Sequence, residues 1–329
     1  MIDITKTKYQ FKVFFPDGKL VDLTPIVEKL SWGDSDGELA QRVNVTVANV
    51  KVGNSYINTL LKLCVRALVY SNGKKLFTGQ IWEHDYTSEL QKSIDLVCYD
   101  GFRDTLESKD HLFYAAGKST ESILTDVCKK WGIKLNYEYS SWKHPKTIFK
   151  GDKIGEIILK TLREADRHLS KKSVALFVGE TLVIREKGKN EDVYVFDANL
   201  NTMKTNYRIS KDNLVTRVKV LGKMDKAGRA KVEATVDGKI EFGILQEIIY
   251  RDGNTSIAEA KKEANDILYE RGKPKENITT ESLDIPFIRK GDKIKILAGN
   301  LIGYYYVKAV QHSAADRTMN MEVERVVAT

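Results

Sequence analysis

The chain has 329 residues, 42% hydrophobic and 30% charged, which supplies two or three cores and excludes a disordered or low-complexity protein. Five prolines and 22 glycines leave no long Pro/Gly linker, and no apolar run approaches the ~20 residues of a membrane span. The net charge of +8 permits an anionic partner, but Lys and Arg are spread along the chain and read as solvated surface.

The N-terminus, Met1-Ile2-Asp3-Ile4-Thr5-Lys6, shows no signal-peptide apolar region. The three cysteines, Cys64, Cys98 and Cys128, each sit in an apolar-periodic stretch, so buried free thiols are expected, which fits synthesis in a reducing cytoplasm. The first hundred residues read as all-β. Strands Tyr9–Phe15 and Lys19–Leu23 flank the turn Pro16-Asp17-Gly18. Arg42–Ala48 alternates, with Val43, Val45 and Val47 on one face. Leu63–Tyr70 and Leu76–Tyr86 are joined through Asn72-Gly73, a strong hairpin signal. Ser93–Tyr99 is a further strand, and Asn54–Leu61 reads as a short helix between strands. The spacing of strands and turns suggests a barrel or sandwich.

From about Gly117 to Lys187 the period becomes helical. Ser119 is placed to cap a helix that turns Ile123, Leu124, Val127, Cys128 and Trp131 inward and closes at Gly132. Asp152 is placed to cap a second helix carrying Ile154, Ile157, Ile158, Thr161, Leu162 and Ala165 inward. Ser173–Val178 and Thr181–Arg185 form a hairpin through Gly179-Glu180. Asp197–Leu214 reads as polar and irregular. Leu214–Leu221 returns to a strand with Val218 and Val220 on one face. Ser256 and Glu259 then form a capping box for helix Ile257–Arg271. Ile257, Ala260, Ala264, Ile267 and Leu268 share a face of that helix, and Gly272 is placed for a left-handed end. Strands Gly291–Ile296, Tyr304–Val310 and Met319–Val327 follow. These elements predict a mainly β fold with an α+β insert: two small β-barrels, at 1–105 and 200–329, flanking an α+β module at 106–199, with helix 257–271 carried by the second.

Three stretches carry a family resemblance. "LSWGDSDGELAQRVNVTV" resembles the Trp-containing turn and following strand of the baseplate hub proteins of contractile phage tails, the XkdQ/YqbQ-like family of the defective prophage PBSX. "LFTGQIWEHDYTSELQKSIDLVCYDGFRDTLESK" resembles their glycine-bearing strand, hairpin and aromatic-Asp-Gly step, with Tyr99, Asp100 and Gly101 in the matching positions. "LVTRVKVLG", the capped helix, "IPFIRKGDKIKI" and "GYYYVKAVQHSAADRTMNMEVERV" follow in the family's order, and the family has an α+β module at the same place as this chain. The resemblance implies a structural tail hub subunit of a phage or a tail-like bacteriocin. It implies a homotrimer in the assembled particle, facing the tail tube protein, the spike protein and other baseplate proteins, with passage of DNA through the lumen. It implies no cofactor.

The pattern of reactive groups points the same way. Asp34-Ser35-Asp36-Gly37-Glu38 resembles a calcium loop, but Gly37 in its fixed place puts the first ligand at Trp32 and the bidentate acid at Val43, so an acidic surface loop is expected. The five histidines, His84, His111, His144, His168 and His312, include no i, i+4 pair and no HExxH. Cys98 lies in a strand alternation and reads as core. No GxSxG occurs, and Gly151 and Gly155 fail phosphate-loop spacing. No catalytic, metal or cofactor residue is assigned. Tyr304-Tyr305-Tyr306 is explained by strand alternation. Trp142, reached through Tyr137 and Tyr139, and His144 after it are the candidate partner contacts on a loop. Two other readings stand beside the hub: a tail-associated peptidoglycan hydrolase or glycan-binding protein, whose carboxylate pair leaves no sequence signature, and a basic nucleic-acid-binding module.

Overall fold

The structure is a computed structural model that describes residues 6–15, 17–52, 54–86, 93–101, 103–251 and 255–326. Pro16 of the expected first turn, Val327 at the expected end of the last strand, and residues 87–92 and 102 of the hairpin motif lie outside that set. The chain divides into two compact units, one of 1–205 with 279–329 and the other of 206–278.

The first unit opens with β1 (Tyr9–Phe14), β2 (Leu20–Asp22), β3 (Val27–Ser35) and β4 (Arg42–Ala48). A ribbon of β5 (Lys51–Val52) and β6 (Ser55–Tyr56) and the one-turn α1 (Ile57–Leu60) lead to β7 (Arg66–Ser71), β8 (Lys74–Asp85) and β9 (Ser93–Asp100). Alternation buries Val43, Val45 and Val47 of β4 against Ile94, Leu96 and Cys98 of β9. Asn72 and Gly73 both take positive φ, as the two-residue β7–β8 turn requires. Cys98 and Cys128 are buried free thiols, but Cys64 is exposed, at a positive φ of 65° in the turn before β7.

The α+β module follows: α2 (Arg103–Glu107), β10 (Lys109–Tyr114), α3 (Thr120–Lys130), β11 (Lys134–Glu138), β12 (Thr147–Lys153), α4 (Ile154–His168), β13 (Ser173–Val178) and β14 (Thr181–Glu186). β13 and β14 are the expected hairpin, and β11 adds to β14 in parallel. Both helices bury the expected faces, Ile123, Leu124, Val127 and Cys128 on α3 and Ile154, Ile157, Ile158 and Leu162 on α4, in one core with Phe177, Leu182 and Ile184. Ser119 caps α3 by accepting from the Ser122 N–H at 3.1 Å. Asp152 does not cap α4: its carboxylate accepts from the Lys150 N–H and pairs with Lys160, and Lys153 stands at the helix start.

The stretch expected to be irregular holds two strands, β15 (Val195–Asp197) and β16 (Thr202–Ser210), because hydrogen bonding to distant strands needs no apolar alternation. The second unit contains β17 (Arg217–Leu221), β18 (Val232–Asp237), β19 (Gln246–Tyr250) and α5 (Ile257–Arg271). β17 is central, antiparallel to β18 and parallel to β19. The Ser256/Glu259 capping box is formed. Ala260 and Ala264 pack on Val215, Val218 and Val220, with Ile267 and Leu268 half-buried beside them. Ile257 is exposed at the first turn, one step outside the buried stripe. Gly272 is not left-handed (φ −84°); the Val215 N–H closes the helix end on the Arg271 carbonyl at 2.8 Å.

The chain returns through β20 (Lys275–Leu283) to β21 (Lys293–Ala298), β22 (Leu301–Ser313) and β23 (Thr318–Arg325). Strands from both ends of the chain share one 13-stranded sheet, in the order β16-β20-β23-β22-β3-β4-β9-β8-β7-β1-β2, with β21 on β22 and β15 on β21. Its order is open, and among the described residues no sheet closes into a barrel. The seam is β3–β22, antiparallel from Ser31↔Ser313 to Ser35↔Ala309. A Cβ on Gly33 would lie 2.2 Å from the Val310 carbonyl oxygen, so the seam requires glycine there.

Candidate functional site

The acidic loop read as solvated surface is the centre of a buried ion network. Asp34, the penultimate residue of β3, has its side chain fully enclosed. Its carboxylate pairs with the Arg289 guanidinium and accepts from the Lys290 N–H at 3.0 Å. Lys290, itself buried, turns its ammonium onto the carbonyls of Ser35 and Glu38. Asp292 accepts from the Arg289 N–H at 2.9 Å and from Arg185 of β14 at 3.0 Å. Lys187 bridges Asp36 and Glu324, at 2.6 Å to each. The network thus ties β3, the end of β14, the turn before β21 and β23.

The protonation states follow from burial set against neighbours. For Asp34 burial pushes the carboxyl up, but Arg289 and Lys290 outweigh it and leave the pKa below the usual carboxylate range. For Asp36 and Asp292 burial wins over Lys187 and Arg185 respectively, and both are raised. Burial also pushes Asp100 up to about 7, against the pull of Arg289 and the Gln41 N–H, which donates to it at 2.6 Å. Burial depresses Lys290, whereas Lys187 is raised because its two carboxylates exceed the desolvation cost.

Two glycines let the α+β module approach this network. Gly101, at φ +64°, faces Phe177, whose ring would lie 2.6 Å from an added Cβ. Gly291, at φ +81°, faces Val174 at 2.7 Å. The Tyr99-Asp100-Gly101 step is therefore where β9 leaves the large sheet and the module packs back against it. Cavities flank the network on two sides. One, of about 260 Å³, is lined by Asp36, Lys187, Lys290, Glu324 and residues of α4. The other, of about 230 Å³, is lined by Asp100 and Arg289 with Phe77, Phe177 and Phe287.

A second buried cluster secures the seam. His312 directs Nδ1 at Asp284 (2.6 Å) and Nε2 at the Ile288 carbonyl (3.1 Å). Tyr9 donates to the other Asp284 oxygen, and the Trp32 ring stacks on His312 with centroids 4.9 Å apart. Burial and Asp284 together hold the Tyr9 hydroxyl far above its ordinary pKa.

Trp142 is half-buried and stacks face to face on His168, 4.1 Å between centroids, with His144 against its edge at 4.8 Å. His144 is buried, 3.0 Å from the Thr120 hydroxyl. One face of the indole is therefore covered by the His168 ring. Tyr305 is buried and Tyr304 exposed, as alternation implies. Among the described residues no three His, Cys, Asp or Glu side chains gather as a metal site, and no helix is long and apolar enough to cross a membrane. What sequence reading missed is the role of Asp34, Asp36, Arg289 and Lys290. The signal was present in "FIRKGD", where two adjacent cations sit inside an apolar-bounded turn, but their partner acids lie some 250 positions away.

The fold belongs to a known class. It matches a prophage MuSo2 tail protein from Shewanella oneidensis with a TM-score of 0.68 at 16% identity, over 96% of this chain and 98% of that one. It matches a tail protein from Neisseria meningitidis with a TM-score of 0.64 at 12% identity, over 96% and 95%. An Escherichia coli type VI secretion component matches with a TM-score of 0.55 at 10% identity, over 92% and 74%. This is the fold of phage tail proteins. The sequence matches the model of the YqbQ-like family over residues 31–324, and the chain belongs to that family. Comparison with curated proteins gives no match.

Proposed function

We propose that the chain is a non-enzymatic hub subunit of a tail baseplate, in a contractile phage tail or a tail-like bacteriocin. Three copies close a ring in the assembled particle, with the tail tube protein on one side, the spike and other baseplate proteins on the other, and DNA passing through the lumen. The observation that carries this reading is the sheet order: β-rich segments from both ends of the chain lie side by side, joined at β3–β22. Two β-rich halves per chain make six in a ring of three, which lets a threefold spike meet a sixfold tube. In this reading each half supplies a barrel-like wall, within regions 1–105 and 200–329 around the module at 106–199, and ring closure covers strand edges that would otherwise recruit other chains. The E. coli component above is described as structurally similar to the T4 tail proteins gp27 and gp5, which supports a place next to a spike. Each carboxylate of the ion network faces a cation or an N–H, a setting for holding segments together rather than for attacking a substrate. Trp142, backed by His144 and His168, is the proposed contact with a neighbouring baseplate protein.

The test is the mass of the complex formed with the tube and spike proteins as concentration rises. Complexes containing three copies of this chain are expected. A single copy in every complex overturns the ring. Release of soluble fragments from purified peptidoglycan, abolished by Asp100→Asn, would replace the structural reading by a hydrolase.

A further inference from the structure

Among the described residues, the sheet of the 206–278 unit is covered on one of its two faces. α5 lies on the face that presents Val218, Val220, Ala234, Val236 and Ile249. The strand registers define the other face as three rows: Gln246–Arg217–Asp237, Ile248–Lys219–Thr235 and Tyr250–Leu221–Val232. The first row is polar and holds the Arg217–Asp237 ion pair. The third is apolar across all three strands, and its outer members are well exposed, Tyr250 at 58% and Val232 at 50%. Ile248 in the middle row is 42% exposed. A one-sided sheet normally shows polar side chains to water, so an apolar row of this kind marks a contact surface.

The apolar row runs directly into the β17–β18 loop, residues 222–231, which carries Lys223, Lys226, Arg229 and Lys231 with a single acid, Asp225. That acid is used within the loop. Its carboxylate accepts from the Ala227 and Arg229 N–H groups at 2.8 and 2.9 Å and pairs with the Arg229 side chain at 3.0 Å. The loop is therefore pre-shaped, and Lys223 and Lys226 stand exposed with no ion-pair partner among the described residues. Met224 between them is 52% exposed.

We propose that this bare sheet face and the β17–β18 loop form a docking surface for an acidic protein segment with apolar side chains at its centre. Charge complementarity identifies the rim of the partner, and the Tyr250–Leu221–Val232 row identifies its centre. A nucleic acid would satisfy the lysines but leave the apolar row in water. A protein segment carrying both carboxylates and apolar side chains covers both. This site goes beyond the ring reading and holds for a single copy as for three.

The experiment uses the full chain and two fluorescent probes: a twelve-residue peptide alternating Glu and Leu, and an oligo-dT of equal charge. The peptide is expected to bind, and to weaken about tenfold in Lys223→Glu/Lys226→Glu and again in Tyr250→Ser/Val232→Thr. Ile248→Lys serves as the apolar variant if the latter pair lowers the melting temperature. Failure of the peptide to bind overturns the proposal. So does oligo-dT binding as tightly as the peptide and indifferent to Tyr250→Ser/Val232→Thr.

Discussion

Asp100 and Asp34 are both buried carboxyl groups near Arg289, held in opposite protonation regimes. Asp100 titrates near 7 in the folded protein, against ~3.9 in an unfolded chain. Between those values the unfolded chain has released a proton that the folded chain keeps, so this group's contribution to stability falls as pH rises through the window. The full cost is at most about 4 kcal/mol and is complete above about pH 7. Asp100→Asn keeps an acceptor for the Gln41 N–H and cannot ionise. Its melting temperature is expected to match the parent near pH 4 and exceed it by several degrees at pH 8; a constant difference across that range would refute the assignment. Asp34 runs the other way. Its depressed pKa contributes stability above the unfolded value, which is lost as pH falls through the folded one. Arg289→Met strands the enclosed Asp34 carboxylate and is expected to cost about 3–5 kcal/mol in urea unfolding at neutral pH. Adding Asp34→Leu should restore most of that, and a double variant as unstable as the single would show that the pair is not what Arg289 serves.

At the scale of elements, α5 shows where local pattern suffices and where it stops. The Ser256/Glu259 box and the Ala260/Ala264 stripe are legible because a cap and a 3.6-residue period are written within one turn or two. Ile257 has the right spacing but lies exposed in the first turn, beyond the sheet that buries the stripe. The expected order of cost is therefore Ala264→Asp, several kcal/mol, above Ile267→Asp, above Ile257→Asp, which places an acid near the helix N-terminus and is close to neutral. Thermal unfolding of the three variants checks it, and equal losses would overturn the packing face. The same contrast holds elsewhere. Asn72-Gly73, Ser119 and the α3 and α4 faces were legible because each is a local signal. Asp152 was misread because a carboxylate two residues before a helix is equally placed to meet Lys160 in the second turn. The network at Asp34 was illegible because its acids and cations come from segments far apart in sequence, and each alone looks like ordinary surface charge.

For the whole molecule the decisive feature is the β3–β22 seam, which periodicity could not reveal: alternation shows that a strand exists but not which strand it pairs with. The seam makes the N-terminal strands and β20–β23 parts of one sheet, secured by Gly33 against Val310 and by the Tyr9–Asp284–His312 cluster under Trp32. The 206–278 unit has a far smaller core, with Val215, Val218, Val220, Ala260 and Ala264 as its buried cluster. Native-state hydrogen exchange should therefore show amides of 206–278 opening at lower free energy than those of β4, β9 and β23. Gly33→Ala drives a methyl group into the Val310 carbonyl and should lower protection in β4, β9 and β23 together while leaving β17–β19 unchanged. If protection falls only in β3 and β22 themselves, the two β-rich halves fold independently and the seam is a contact between finished parts. If it falls in β4, β9 and β23 together, the two β-rich halves are one cooperative body, held across the seam by hydrogen-bonded backbone.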